Sequence, residues 1–380
     1  MPHSEAPQDV PSITELTPDL SSAHVTSPRP TTEASKLSPL EHLVASHYLC
    51  SSRLAIYISP ADILEVEVIK PFKPTSAQVV VARQTQTATL PTLLIVKVFD
   101  PLAIKRAAND PKYSLANEAA AAERRADESQ PLVVRSMSFG HPDLEDDEGR
   151  LAFSWGEYGG VLYAPEDEED DPVVWEEYFF KLALQQYHKE RISYGKLQTL
   201  QGDVIPRCYG TGRLNLPDRP IMPRVILLEY VQDAPPIDWF RSLSPIHKRM
   251  LAVDGPDADA GIYKQFWKLG VIHHDIGSRQ ILVKRDRLVV LDFGLALVRE
   301  PEDSDELWDD LYFRAEDFTF FVGEDERTVE ISEEEFSKVF DEALAAYSSG
   351  HPSPGYHKHG IFCTRNNCSV ITLNSRSIGF

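Results

Sequence analysis

The chain has 380 residues, 42% hydrophobic and 26% charged, a balance that can bury a real core and accommodates two or three domains or one bilobal unit. Asp and Glu number 59 against 38 Lys and Arg, a net charge of −21, which argues against broad nucleic-acid or anionic-membrane binding because both need a basic footprint. A polyphosphate ligand is compatible with that charge only where local cations or a metal offset the field.

Four cysteines (Cys50, Cys208, Cys363, Cys368) make no disulfide framework. The N-terminus shows no basic segment followed by an apolar one, and no apolar run reaches the length of a membrane span. The expected setting is therefore cytoplasmic or nuclear, with reduced thiols and no membrane partner.

In chain order, residues 1–38 are rich in Pro, Ser and Thr and read as a disordered leader, having too little apolar surface to offset ordering entropy. Leu40, Leu43, Val44 and Tyr48 recur at helical spacing and predict a short helix within 39–58. Three β-rich runs follow, at 63–69, 79–81 and 93–96, and read as an antiparallel meander. Residues 103–172 fit no compact pattern and read as an insertion. It holds an Ala/Glu/Arg-rich helix at 117–128 and acidic runs at 145–148 and 166–171 that are expected to stay solvated.

Asp171-Pro172 has the chemistry of an N-cap followed by proline at the first helical position, so a helix is predicted from there to about 199. Tyr187, Glu190, Tyr194 and Leu197 fall on one of its faces. Further strands are predicted at 204–205 and 225–228, and a helix at 245–268. Two short strands, 281–283 and 288–291, flank the polar turn Lys284-Arg285-Asp286-Arg287, and helical patterns recur at 303–320 and 332–347. The tail, 350–380, lacks Asp and Glu. Its His351, His357, His359, Cys363 and Cys368 match no established zinc spacing, and an irregular end is expected.

The chemistry is concentrated in His273-His274-Asp275-Ile276-Gly277-Ser278-Arg279-Gln280, a β-hairpin, and then Asp292-Phe293-Gly294. A hairpin brings its two ends together, so Asp275 and Asp292 should face one cleft, where two carboxylates suit a base and a metal ligand.

This pattern resembles the catalytic loop and Asp-Phe-Gly of the protein-kinase-like superfamily, most closely the divergent kinase-like proteins abundant in fungi. The resemblance covers about residues 60–320 apart from the insertion. It implies an α+β, bilobal protein-kinase-like fold. Residues 39–232 would form a small antiparallel sheet lobe with one main helix, and 233–349 a mainly helical lobe. It also implies ATP and Mg²⁺. Asp275 would serve the acceptor hydroxyl, Asp292 and Gln280 would ligate the metal, and Lys97, inside an apolar strand, would hold phosphates. Glu190 is preferred over Glu118 as the partner of Lys97, which leaves Glu118 as a surface residue. Leu228 would stand at the back of an adenine site, with the backbone of Glu229 and Val231 at its edge.

The sequence departs from that family in several places. No glycine-rich loop lies between the first two strands, so Lys73, Thr75 and Ser76 are the candidates for side-chain contact with phosphate. Gln280 stands where the family has Asn, one methylene further out, and His274 where it has Arg. No Ala-Pro-Glu follows Asp-Phe-Gly, and the segment there is acidic instead. Phosphotransfer to a hydroxyl of a protein or small molecule is the leading expectation, and a nucleotide-binding or scaffold module without phosphotransfer the alternative. The acceptor and the oligomeric state are left open.

Overall fold

The computed structural model describes residues 47–85, 90–107, 110–126, 136–137, 161–162, 171–237, 240, 243–251, 261–275, 277, 279–301, 303–314 and 331–349. The predicted leader, most of the acidic insertion and the tail lie outside these residues. Among the described residues no helix is long and apolar enough to cross a membrane.

Six strands form a closed antiparallel barrel: β1 (Arg53–Ser59), β2 (Asp62–Pro71), β3 (Gln78–Gln84), β4 (Leu93–Phe99), β7 (Cys208–Asn215) and β8 (Arg224–Glu229), in the order β1-β2-β3-β4-β8-β7. Two-residue strands β5 (Ser136–Met137) and β6 (Val161–Leu162) pair separately. The alternation of each barrel strand fixes its two faces. Leu94, Val96 and Val98 of β4 and Val225 and Leu227 of β8 point into the barrel, joined by Leu54, Ile56, Leu64 and Val66. The intervening Phe99, Ile226 and Leu228 face outward and belong to a second core. Lys97 sits on this outward face, in register with Val79 on one side and Ile226 on the other.

This architecture overturns the bilobal kinase-like expectation. The segment read as a helix supplies β1, which pairs with β2 on one side and, through Ala55 opposite Asn215, with β7 on the other. That second pairing turns an open sheet into a closed barrel. Leu54 and Ile56 are buried at a spacing of two, and this alternation prevails over the helical spacing that ends at Tyr48. Nor are the described C-terminal residues mainly helical. Helices α3 (Pro245–Met250), α4 (Ile262–Lys268), α5 (Asp305–Arg314) and α6 (Glu333–Ser348) have 6, 7, 10 and 16 residues. Between them lie β9 (Val271–Ile272), β10 (Ile281–Val283), β11 (Leu288–Val290) and β12 (Leu297–Val298), paired as β10-β11 and β9-β12.

Smaller corrections follow the same logic. The helix expected over 245–268 is two short helices, with 252–260 outside the described residues. Val204 and Ile205 form no strand. Ile205 makes one bridge to Gln201, and the Val204 carbonyl accepts from the Val290 amide at 2.8 Å, which docks the β10-β11 hairpin.

Two helices precede this half. Helix α1 (Leu115–Ala126) lies within the predicted insertion, and α2 (Pro172–Lys196) is the long helix. The Asp171 side chain accepts from the Val173 amide at 2.9 Å, a cap worth about 1 kcal/mol. Phe179, Ala183, Tyr187, Glu190 and Tyr194 form the buried stripe of α2, so Glu190 stands in the middle of an apolar face.

Candidate functional site

A cleft of about 2050 Å³ opens against the outward face of β4 and β8. Lys73, Thr75, Ser76, Lys97, Glu190, Leu228, Glu229, Val231, Asp275, Gln280 and Asp292, the residues singled out from the sequence, all line it.

At its centre the Lys97 ammonium donates to Glu190 Oε2 at 2.6 Å and to Asp292 Oδ1 at 2.7 Å. Lys97 is 5% exposed and Glu190 fully buried, so the pair is shielded from screening by water. Burial pulls the ammonium down, but Asp292 and Glu190 outweigh it and hold Lys97 above the ordinary lysine range. Burial pushes the Glu190 carboxyl up to about 7 despite Lys97. For Asp292 the charge and hydrogen bond of Lys97 prevail over burial and hold the carboxyl below its usual range. Glu190 Oε1 and the Tyr194 hydroxyl are buried without a hydrogen-bond partner among the described residues.

Asp292 is positioned by its neighbours. Phe293 is fully buried against Tyr194, Phe266 and His273, at ring separations of 5.6, 5.5 and 4.9 Å. The Gly294 amide donates to Asp292 Oδ1 at 3.3 Å. Asp292 itself has φ of 65° and His274, next to Asp275, has φ of 61°. Left-handed backbone at two non-glycine residues costs conformational energy, and it falls on both carboxylate-bearing turns.

His273 joins those turns. Its Nε2–H donates to the Leu291 carbonyl at 2.8 Å and its Nδ1 accepts from the Asp275 amide at 3.4 Å, the pattern of a neutral imidazole. Burial holds its pKa down at about 4. Between pH 6.5 and 4 the unfolded chain therefore takes up a proton that the native state refuses, and stability falls as the pH falls through that window. The full effect is about 3 kcal/mol. The urea stability of the native protein minus that of His273→Gln is expected to shrink by this amount between pH 7 and pH 4. A pH-independent difference would show that His273 is not held neutral.

The loop between β2 and β3 has no glycine because its shape is set in another way. The Gln78 side chain donates to the Phe72 carbonyl at 2.9 Å and to the Val79 carbonyl at 3.0 Å, and Pro71 and Pro74 limit the backbone. This brace presents Lys73, Thr75 and Ser76 to the cleft. The opposite edge is made by Glu229, whose amide donates to the Arg207 carbonyl at 2.8 Å and whose carboxylate accepts from the Arg207 amide at 3.1 Å. Leu228 closes the back.

The donor set fits a hydrated Mg²⁺. This ion takes hard oxygen ligands, keeps several waters and needs one or two protein oxygens plus phosphate. Both described contacts of Asp292 use Oδ1, which leaves Oδ2 for a cation. The Gln280 amide oxygen lies over Gly277, 2.8 Å from where a Cβ would stand. Among the described residues no three His, Cys, Asp or Glu cluster as a metal site, so a metal held here takes the rest of its shell from water and ligand.

Sequence reasoning missed part of this cleft. Lys105, Arg106, Lys112 and Tyr113 line it from the start of the predicted insertion. Arg106 forms a two-pronged pair with Glu176 of α2, at 3.0 and 2.6 Å, which draws this segment into the molecule. The available signal was three cations within a short stretch of an acidic chain. Glu118, expected at the surface, is 3% exposed and pairs with Arg219. No protein-family model matches the chain, and no curated protein matches it.

Proposed function

We propose that the protein is an ATP-dependent phosphotransferase of the cytoplasm or nucleus, acting on a hydroxyl. The observation that carries this reading is Lys97 held between Glu190 and Asp292 in a cleft lined by seven Lys or Arg against six Asp or Glu, within a chain of net charge −21. Relative to the rest of so acidic a chain this near balance favours a polyphosphate, with Lys73 and Lys97 as its local cations. The short motif shared with protein-kinase-like proteins supports the same chemistry. The closed barrel does not, and the function rests on the site alone.

In this reading Lys97, oriented by Glu190, grips the nucleotide phosphates, while Lys73, Thr75 and Ser76 cover them. Asp292 and Gln280 would hold Mg²⁺, which when bound would offset the charge of the phosphates. Asp275 orients the acceptor hydroxyl and takes its proton as the new P–O bond forms. The bond between the γ-phosphorus and the oxygen bridging to the β-phosphate breaks, and ADP leaves. The contribution of the protein is position and electrostatics.

A second reading, a nucleotide-binding module without phosphotransfer, is favoured by the loop braced by Gln78 in place of backbone amides that close on phosphate. Melting of the purified protein with ATP, with and without Mg²⁺, beside Asp292→Asn, tests nucleotide binding. A Mg²⁺-dependent rise, absent from the variant, is expected. Phosphate release from ATP that disappears in Asp275→Asn then separates enzyme from module. No rise under any condition refutes both.

A further inference from the structure

Resting on that reading, we infer that the acceptor is itself an anion, a phosphate-bearing alcohol whose charged group is held by Lys105, Lys112 and Arg279 while its hydroxyl faces Asp275. The strand register sets the polarity of the cleft. Leu94 pairs with Glu229 at one end of β4, and Phe99 with Arg224 at the other. Gln78 is opposite Val98, so the β2-β3 loop lies at the Phe99 end, away from Glu229 and Val231. The chain leaves β4 at that end and runs on to Lys105 and Lys112. A nucleotide with its base beside Glu229 and Val231 and its phosphates at Lys97 therefore points its γ-phosphate towards Lys105 and Lys112.

These cations are surplus to the nucleotide site. Lys97 has two carboxylate partners and Arg106 has Glu176, whereas Lys105, Lys112 and Arg279 have no acidic partner within ion-pair distance among the described residues. All three are exposed and line the cleft. Arg279 follows Asp275 by four positions, and both line the cleft. Lys105 and Lys112 flank a closed turn. The Arg106 guanidinium donates to the Pro111 carbonyl at 3.3 Å, and Asp110 accepts from the Ala107 amide at 2.6 Å. Asp110 keeps its charge while it accepts from the Ala107 amide, and it lines the cleft with Lys105 and Lys112, two lysines to one carboxylate on this segment. Unpaired cations facing a cleft in a chain of this net charge raise the local concentration of an anionic substrate and orient it through charge-assisted hydrogen bonds.

The test is calorimetric titration of the full chain, first with a non-hydrolysable ATP analogue and Mg²⁺. The saturated protein is then titrated with glycerol 3-phosphate against glycerol, and with a peptide holding a phosphoserine beside a free serine against the same peptide with both serines free. The expected result is binding of one phosphorylated probe and not of its neutral counterpart. That binding is weakened about tenfold in Lys105→Ala/Lys112→Ala, and analogue affinity changes by less than about twofold. The probe that binds tells a small-molecule acceptor from a phosphoprotein. Absence of phosphate-probe binding in protein that does bind the analogue overturns this inference alone. Equal loss of probe and analogue in the double variant also overturns it, because the lysines then serve the nucleotide. Failure of the native protein to bind the analogue overturns the phosphotransfer reading and this one with it.

Discussion

Under the proposed phosphotransfer reading, Lys97→Met is expected to abolish Mg²⁺-dependent protection by ATP and to lower phosphotransfer by at least about 10²- to 10³-fold, the size of effect seen when one preorganised donor is removed from a transition state. The side chain is close to isosteric, so the lesion is the missing charge. What remains is Glu190, fully buried, beside Asp292 with no cation between them. Burial already holds Glu190 at about 7, and loss of Lys97 removes the main influence lowering it. The variant therefore keeps Glu190 protonated in the native state at a pH where the unfolded chain has released that proton. A raised carboxyl contributes stability at low pH that is lost as pH rises through the folded pKa. In the native protein Lys97, itself raised, keeps its contribution up to the ordinary lysine range. The stability gap between native protein and Lys97→Met is thus expected to widen as pH rises above 7, and adding Glu190→Gln should narrow it. Melting curves at pH 6 and pH 8.5 measure the gap. A constant gap would show that the buried pair does not govern the site.

The parts of this site that were legible in the sequence are those set by short-range rules. Alternation along β4 buries Leu94, Val96 and Val98 in the barrel and turns Lys97 outward, and that pattern is visible in seven residues. The four-residue turn Lys284–Arg287 closes the hairpin, with the Lys284 amide donating to the Arg287 carbonyl at 2.8 Å, and so brings Gln280 beside Leu291. Asp171-Pro172 announces the start of α2, and helical periodicity from there places Glu190 on the buried stripe.

What was not legible depends on contacts between residues far apart in the chain. Barrel closure needs Ala55 to meet Asn215, and nothing local to either announces it. The fold implied by the motif failed at this point, since the hairpin and its two carboxylates are a local device that a closed barrel can carry as well. Lys105 and Lys112 were hidden by their acidic and Ala-rich surroundings, which read as an insertion, although Arg106 and Glu176 tie that segment to α2. Glu118, Asp100 and Arg219 each look like ordinary surface charges until they are placed together.

That last cluster carries the largest stability effect expected outside the cleft. Arg219 donates to Asp100 Oδ1 at 3.1 Å and Oδ2 at 3.3 Å, and to Glu118 Oε1 at 2.5 Å and Oε2 at 2.7 Å. Tyr48 adds a hydrogen bond to Asp100 at 3.0 Å, and Tyr113 one to Glu118 at 3.2 Å. The side chains of Arg219, Asp100 and Glu118 are 1%, 0% and 4% exposed, so the two carboxylates have almost no water to turn to. Burial disfavours the guanidinium charge, but Glu118 and Asp100 reverse this and hold Arg219 above its ordinary range. Arg219→Met leaves two carboxylates buried without a cation, which costs about 3–5 kcal/mol. For a chain of this size that lowers the melting temperature by about 5 °C. The triple variant Asp100→Asn/Glu118→Gln/Arg219→Met removes the charges together and is expected to recover much of the loss, because neutral neighbours carry no such desolvation penalty. If the single variant melts within a degree of the native protein, water reaches this cluster and its charges are not buried. If it melts low and the triple variant recovers, the cluster ties α1, the end of β4 and the β7-β8 turn into one unit. That unit continues along the chain into the segment of Lys105 and Lys112, so the same variant should also weaken the binding of phosphorylated probes.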